Sequence, residues 1–320
     1  MRLFVRTTDE ERAWEKKHIL GQREKYLNTN VLQKIAEDDG YRAKVELLES
    51  RVADEADWIL DIGSNTAGEC EYLVHRGHYV IATDINEFAL SISKVRCRRF
   101  GRKSPAYIGC DSQKLPFADE SVKCVVFNES LHHMPDPACS LSEVYRVLRP
   151  GGKVIMFEPY AYDPWRRISE IRDYFRGTVE TSFSERRIRQ LVADAGLEFK
   201  HIDRLVLPPS RWKLQFLPIY RRFLRLAYYE IKKIAPNILG MILCEARKPG
   251  KCDPDVFRPP VSDILVCPQT GAKLIQTAQG YVSTDPQTRY LYPVIDEIPV
   301  LIANEARELD LNVWHTVIGS

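Results

Sequence analysis

Ile59-Leu60-Asp61-Ile62-Gly63-Ser64-Asn65-Thr66-Ala67-Gly68 is the stretch that decides the fold. An apolar run passes straight into small residues, and helix-forming sequence follows. Small residues let a backbone approach a ligand closely, and a helix start offers unpaired amide donors. A plain tight turn needs the same residues, so the stretch takes its meaning from its neighbours. The next apolar run, Tyr79-Val80-Ile81-Ala82, continues into Thr83-Asp84-Ile85-Asn86 and places an acid 23 residues after Asp61. In nucleotide-binding α/β sheets an acid about 20 residues on accepts both ribose hydroxyls. The same Asp84 can equally cap the helix that follows.

Further strand-like runs lie at 106–108, 122–127, 153–157 and 204–207, with helical stretches at 68–76, 87–100, 137–148 and 184–195. Strand and helix alternating at this rhythm predict a Rossmann-like α/β fold, a mostly parallel sheet with helices on both faces. Residues 241–246 read as a closing strand. Before this block, residues 1–56 are charged and helix-prone and predict an N-terminal helical lid of two or three helices. Within the main domain, 57–250, a basic and aromatic insert at 208–236 interrupts the rhythm. Pro and Gly at 251–260 mark a linker. Residues 261–320 form a small β-rich C-terminal domain, with the last ten residues helical or frayed.

The chain has 320 residues, 44% apolar and 28% charged, with a formal charge of +2. These are globular values, and they exclude wholesale disorder and a globally basic nucleic-acid coat protein. No run approaches the ~18–20 apolar residues of a membrane span, and no targeting segment is evident. Eight cysteines are scattered with no Cys-x-x-Cys pair, which reads as buried free thiols in a reducing, cytoplasmic setting.

Three more segments complete the pattern. Gly109-Cys110-Asp111-Ser112 again ends a strand with an acid. Val125-Val126-Phe127-Asn128-Glu129-Ser130-Leu131-His132-His133 closes the next. In Arg146-Val147-Leu148-Arg149-Pro150-Gly151-Gly152 a helix is stopped and a strand begins. In this order the segments resemble the class I S-adenosylmethionine-dependent methyltransferases, in particular the ubiquinone- and sterol-type subgroup. The resemblance covers about residues 57–205. It implies a seven-stranded sheet, parallel except for one strand, with S-adenosyl-L-methionine held over the carboxyl ends of the first strands. Carried over by position, Asp61 and Gly63 line the methionine half, Asp84 with Ile85 beside it takes the ribose, and Asp111 with Ser112 takes the adenine amine. Asn128 stands beside the methyl group. Asn65 and Ala67 occupy places where the family usually has glycine. Asn tolerates left-handed backbone and Ala is small, so both are compatible with the same turn. The departure also keeps open a non-catalytic cofactor-binding scaffold.

A hydroxyl or amine acceptor benefits from a base that removes its proton. His133, His132, Glu158 and Tyr160 are the candidates at the expected mouth, with His133 and Glu158 foremost. A packing histidine and a loop carboxylate are the alternative readings. Tyr26, Tyr41 and Arg42 are candidate lid residues. The 210–233 segment fits three roles: packing on the core, a lid over a lipid-linked acceptor with peripheral membrane contact, or a grip on RNA.

The tail carries Ile264-Leu265-Val266-Cys267-Pro268 and Tyr292-Pro293-Val294-Ile295-Asp296-Glu297-Ile298-Pro299. It resembles the small zinc-ribbon activators of tRNA, rRNA and release-factor methyltransferases. Zinc-binding members use two Cys-x-x-Cys pairs, and here Thr270 stands where the second cysteine of the first pair would be, so no metal is expected. The resemblance implies an activator-like domain fused in cis. The expected function is methyl transfer to a hydroxyl of a small-molecule, glycan or lipid-linked acceptor, with tRNA or rRNA as the alternative.

Overall fold

The structure is a computed structural model that describes residues 8–53, 57–163, 166, 182–205, 230, 240–251 and 258–319. The 210–233 segment, apart from Glu230, lies outside the described residues, and with it the membrane and RNA roles considered for it. No described helix is long and apolar enough to cross a membrane.

Four helices precede the sheet: α1 (Thr8–Leu20), α2 (Arg23–Asn28), α3 (Val31–Glu37) and α4 (Asp39–Val52). Their boundaries follow from side chains that satisfy free amides at helix starts. Asn30 accepts from Gln33 N, and Asp38 accepts from the amides of Gly40 and Tyr41. Asp39-Gly40 therefore belongs to the first turn of α4, with the cap one residue earlier.

The central sheet is built from β1 (Trp58–Ile62), β2 (Tyr79–Asp84), β3 (Ala106–Gly109), β4 (Val122–Asn128), β5 (Leu148–Pro159), β6 (Glu198–Leu205) and β7 (Met241–Arg247). Its order is β3-β2-β1-β4-β5-β7-β6. All neighbours pair in parallel except β7, which runs antiparallel to β5 and β6. The order reverses between β1 and β4, and a ligand crevice belongs at such a switch point. Helices α5 (Gly68–His75), α6 (Glu87–Arg99), α7 (Pro137–Val147) and α8 (Glu185–Asp194) fill the crossovers. The sixth strand lies at 198–205 rather than 204–207. Its run Glu198-Phe199-Lys200-His201 is exposed and polar except for half-buried Phe199, as suits an outer strand. That pattern carries little apolar signal.

Residues alternate between two cores, because successive side chains on a strand point to opposite faces. Leu60, Ile81, Val125, Phe127 and Val154 pack under α7 and α8, while Ile59, Val80, Cys124, Val126 and Ile155 pack with Leu48, Val52 and Leu73 from α4 and α5.

The C-terminal residues form a four-stranded antiparallel sheet, β8 (Leu274–Thr277), β9 (Gly280–Ser283), β10 (Tyr290–Tyr292) and β13 (Arg307–Glu308), in the order β13-β10-β9-β8. A small hairpin, β11 (Val294–Ile295) and β12 (Ile298–Pro299), leads out of β10, and α9 (Leu311–Ile318) closes the unit through buried Trp314. The unit packs directly on the main sheet. Val300 makes a parallel bridge with Gly109 at the end of edge strand β3, and Leu301 N donates to Gly109 O at 2.7 Å. Ala118 N donates to Ile264 O, Val266 N donates to Pro116 O, and Ile264, Leu265, Tyr292 and Leu301 belong to the same core cluster as Phe117 and Leu115. The loop between Gly109 and Ala118 is thereby held by the C-terminal residues at both ends.

Candidate functional site

A cavity of about 310 Å³ opens over the carboxyl ends of β1–β4. Every residue expected around the cofactor lines it: Asp61, Gly63 and Asn65 from the β1 turn, Asp84 and Ile85 after β2, Asp111 and Ser112 after β3, and Asn128 ending β4. His133 lines it too. Lys44, Glu69 and Glu129 line it without having been expected.

The β1 turn explains the glycine pattern. Gly63, Asn65 and Ala67 all have positive φ, at 75°, 49° and 47°. Gly63 is obligatory, since a Cβ there would stand 2.6 Å from Ser130 Cβ. Asn65 and Ala67 keep left-handed backbone that costs a non-glycine residue roughly 1–2 kcal/mol. Asn65 is compensated by its amide, which donates to Asp84 Oδ2 at 2.7 Å. Asp84 Oδ1 accepts from Asn86 N, so the carboxylate is aimed by backbone amides from two loops.

At the β3 end, Asp111 Oδ1 accepts from Gln113 N, and Ser112 Oγ sits 2.9 Å from both Met134 Sδ and Ser140 Oγ. Glu143 and Arg146 of α7 hold the next residues: Leu115 N donates to Glu143, and Arg146 donates to the carbonyls of Leu115 and Phe117. The Leu115-Pro116-Phe117 segment is thereby fastened to the start of the Arg146-Val147-Leu148-Arg149 segment.

The β1 and β4 ends are less satisfied. Asp61 is 5% exposed, and its Oδ1 has no hydrogen-bond partner. Its Oδ2 accepts from the Cys70 thiol at 2.8 Å. Burial pushes its carboxyl up to about 6, and Glu69 adds to this, against the lowering contributions of Cys70, Ser64 and Lys44. Asn128 Oδ1 is also buried without a partner. Lys44, on the buried face of α4, bridges Glu129 at 2.5 Å and Glu69 at 3.2 Å. Burial alone would lower the Lys44 ammonium, but Glu129 and Glu69 more than offset it and leave it raised. Burial likewise works to raise Glu69, and Lys44 reverses that and holds it low.

Glu158 does not stand at the mouth, and this corrects the expectation from sequence. It is fully buried; its Oε1 accepts from Ser130 N and Leu131 N, and its Oε2 meets His132 Nδ1 at 2.6 Å. It fastens the turn after β4 that presents His133, and Ser130 Oγ ties the same turn to Ile62 O. His132 is buried in that arrangement, its ring 4.1 Å from the ring of His133. Tyr160 is buried at the end of β5, outside the cavity lining. The lid expectation is corrected as well. Tyr41 packs at Gly68, Tyr26 joins Ile19 and Leu27, Arg42 pairs with Asp39 at the surface, and it is Lys44 that reaches the cavity.

The donor set fits the group that the fold implies. Acids at three strand ends, and two orphaned acceptor oxygens, call for a ligand that brings hydroxyl, amine and positively charged groups. S-adenosylmethionine carries all of these.

Residues 60–156 match the family model described as "Methyltransferase domain". Among curated proteins the chain is 31% identical over 133 residues to a demethylmenaquinone methyltransferase of Clavibacter sepedonicus, covering 42% of this chain and 53% of that protein. It is 26% identical over 216 residues to 24-methylenesterol C-methyltransferase 2 of Oryza sativa subsp. japonica, covering 62% and 59%. The chain thus spans little more than half the length of these relatives. Among solved structures it is similar to geranyl diphosphate C-methyltransferase from Streptomyces coelicolor, crystallised with S-adenosyl-L-homocysteine. That likeness has a TM-score of 0.50, 20% identity, and coverage of 65% of this chain and 79% of the other, and it is a likeness of fold. Residues 60–156 are thus similar to a methyltransferase domain, and the Rossmann-like sheet with its switch-point cavity agrees with that likeness.

Proposed function

We propose that the protein transfers a methyl group from S-adenosylmethionine to a small, largely apolar acceptor. The observation that carries this reading is the convergence of Asp61, Asp84 and Asp111, each just beyond or at the end of its own strand, on one cavity. Three acids at three strand ends have no common structural need.

When bound, the cofactor supplies a methyl group on a sulfonium centre. The chain's own residues do the rest. Asp84 accepts the ribose hydroxyls, and Asp111 accepts from the adenine amine with Ser112 beside it. Asp61 and Asn128 offer their unpaired oxygens at the methionine end. The turn pinned by Glu158 presents His133 to the cavity, where it takes the acceptor's proton; holding the partners in line supplies much of the acceleration. The names of the curated relatives, on quinones and sterols, favour a carbon acceptor over the hydroxyl expected from sequence. The cavity lining is acidic, which disfavours RNA.

Residues 261–319 act, in this reading, as a buttress in cis. The pairing of Leu301 with Gly109 and of Ile264 and Val266 with the 116–118 segment supports it, because the loop so clamped carries Asp111. Cys267, in the segment that resembles a zinc ribbon, contacts Tyr292 Oη at 3.2 Å.

Calorimetric titration of S-adenosylmethionine and its demethylated product into the intact chain tests the reading. Micromolar binding that Asp84→Ala weakens about tenfold or more, through loss of charge-assisted hydrogen bonds, is the expected result. Absence of binding by the wild-type chain sinks it.

A further inference from the structure

Helix α1 has little apolar surface with which to pack. Among its described side chains only Ile19 is buried, in a cluster with Ala89 and Ile92 of α6. Charge supplies the rest of the hold. Arg12 Nη2 and Nε donate to Glu87 Oε2 at 2.7 and 3.3 Å, and Lys16 Nζ donates to Glu87 Oε1 at 3.0 Å. Arg12 Nη1 donates to Glu305 Oε1 of the C-terminal unit at 2.5 Å. The Arg12 and Glu87 side chains are 16% and 6% exposed, so their pairing is less screened than a bridge on open surface. One guanidinium thus joins the N-terminal helix, the start of α6 and the C-terminal unit.

The join bears on the cavity because Glu87 opens α6, and Asp84 and Ile85, which line the cavity, lie just before it. The residue between is Asn86. Its backbone amide donates to Asp84 Oδ1, so the aim of that carboxylate depends on where α6 begins. A helix start is commonly fixed by the side chain of its cap residue. Asn86 does not do this. It is fully buried, its side chain makes no cap bond, and neither of its amide atoms has a hydrogen-bond partner among the described residues. Glu87 supplies the missing hold, through groups from outside the helix.

We propose that Arg12 is a positioning residue for ribose recognition: together with Glu305 it holds the start of α6, and with it the Asp84 carboxylate, in the geometry that meets the ribose hydroxyls. The inference rests on the methyl-transfer reading and deepens it. It gives the C-terminal unit a second route to the cavity, at the β2 end, separate from its grip on the loop after β3. Groups that bind a ligand act at full strength only when a supporting layer of contacts holds them. Here that layer runs from Arg12 to Glu305, so both ends of the sequence must be in place before the ribose site is complete.

The test uses the intact chain and two probes, S-adenosylhomocysteine and its 2′-deoxyribose counterpart, titrated separately by calorimetry. The wild type is expected to favour the ribose form by about tenfold or more, the contribution of one charge-assisted hydrogen bond. Arg12→Met should lower that preference by roughly threefold or more, as for groups coupled in one ion-pair network. Glu305→Gln should lower it in the same direction but less, since Arg12 keeps Glu87. Arg12→Lys should retain part of it. Asp111→Asn, at the β3 end, should weaken both probes alike and leave the preference unchanged. If Arg12→Met does not fold, Glu305→Gln, at a partly exposed side chain, decides the matter. A preference that neither variant moves overturns the proposal, as does a wild type that binds the two probes equally. So does an equal loss of both probes in Arg12→Met, which would make Arg12 a general anchor of α1. Failure of the wild type to bind either probe overturns the methyl-transfer reading instead.

Discussion

The two ends of the cavity are built on different principles. At the β3 end, which the proposed function gives to adenine, the groups are tied down. Asp111 is aimed by a backbone amide, α7 holds the following loop through Glu143 and Arg146, and the C-terminal unit grips that loop at Gly109, Pro116 and Ala118. At the methionine end the chain keeps what folding normally removes: two orphaned buried oxygens and three non-glycine residues with positive φ. Unsatisfied groups and strained backbone persist where function requires them. The comparison teaches that one end is shaped by packing and is complete without a ligand. The other is costly until a ligand relieves it.

The strongest way to break this contrast is at the adenine end. Leu301→Pro removes the amide that donates to Gly109 O and disturbs a side chain with no exposed surface. The expected loss is about 3 kcal/mol or more, summing a lost hydrogen bond and disrupted core packing. Thermal unfolding measures the loss, and hydrogen exchange should rise within 109–118 ahead of the rest of the sheet. Unchanged exchange there would mean that the C-terminal unit does not hold the loop.

A smaller effect of opposite sign is expected at Asp61. Its carboxyl is raised from its ordinary value near 3.8 to about 6, with burial the largest cause. The folded chain therefore binds this proton more tightly than the unfolded chain. The associated stability is fully present below pH ~4 and is lost as pH rises through 6. The wild type should lose on the order of 2–3 kcal/mol across that window from this group. Asp61→Asn should flatten the pH dependence and equal or exceed the wild type in melting temperature at pH 8. Its affinity for S-adenosylmethionine should nevertheless fall. A mutant less stable than the wild type at pH 8 would show that the thiol bond from Cys70 outweighs the cost of burying the charge.

Legibility in the sequence followed the same division. Strands β1 to β5 and β7, the helices between them and the acids at their ends could be read, because short continuous apolar runs bounded by small residues and alternating with helical stretches mark a parallel sheet covered on both faces. Strand β6 was misplaced because its run is mostly polar. Glu158 was assigned to the mouth although it follows Phe157 in the most buried strand. Its partners, Ser130, Leu131 and His132, come from a turn 26–28 residues earlier, and no local pattern reports such a contact. Lys44 did leave a trace. It interrupts the apolar stripe Tyr41, Val45, Leu48 and Val52 on α4, and a lysine on the buried face of a helix needs a carboxylate to meet it. Glu69 and Glu129 are those carboxylates, but only the packing of α4 against α5 and the carboxyl end of β4 brings all three together. The contact of the tail with β3 had no local signature in the sequence.

The smallest expected effect sharpens the contrast most directly. Ala67 precedes α5 with φ 47° and ψ 38°, and its side chain is buried in the core beneath the turn. Ala67→Gly relieves the left-handed strain, at roughly 1 kcal/mol or somewhat more, while it loosens the unfolded chain by about 0.4–1 kcal/mol. It also gives up the contacts of one methyl group. The net expectation is a gain of a few tenths of a kcal/mol, read as a slight rise in melting temperature, with Asn65→Gly smaller still because asparagine tolerates this backbone better. A clear fall in Ala67→Gly would show that the buried methyl is worth more than the strain. The glycine pattern would then have been given up here for packing, and the cost at the methionine end would reside in its charges alone.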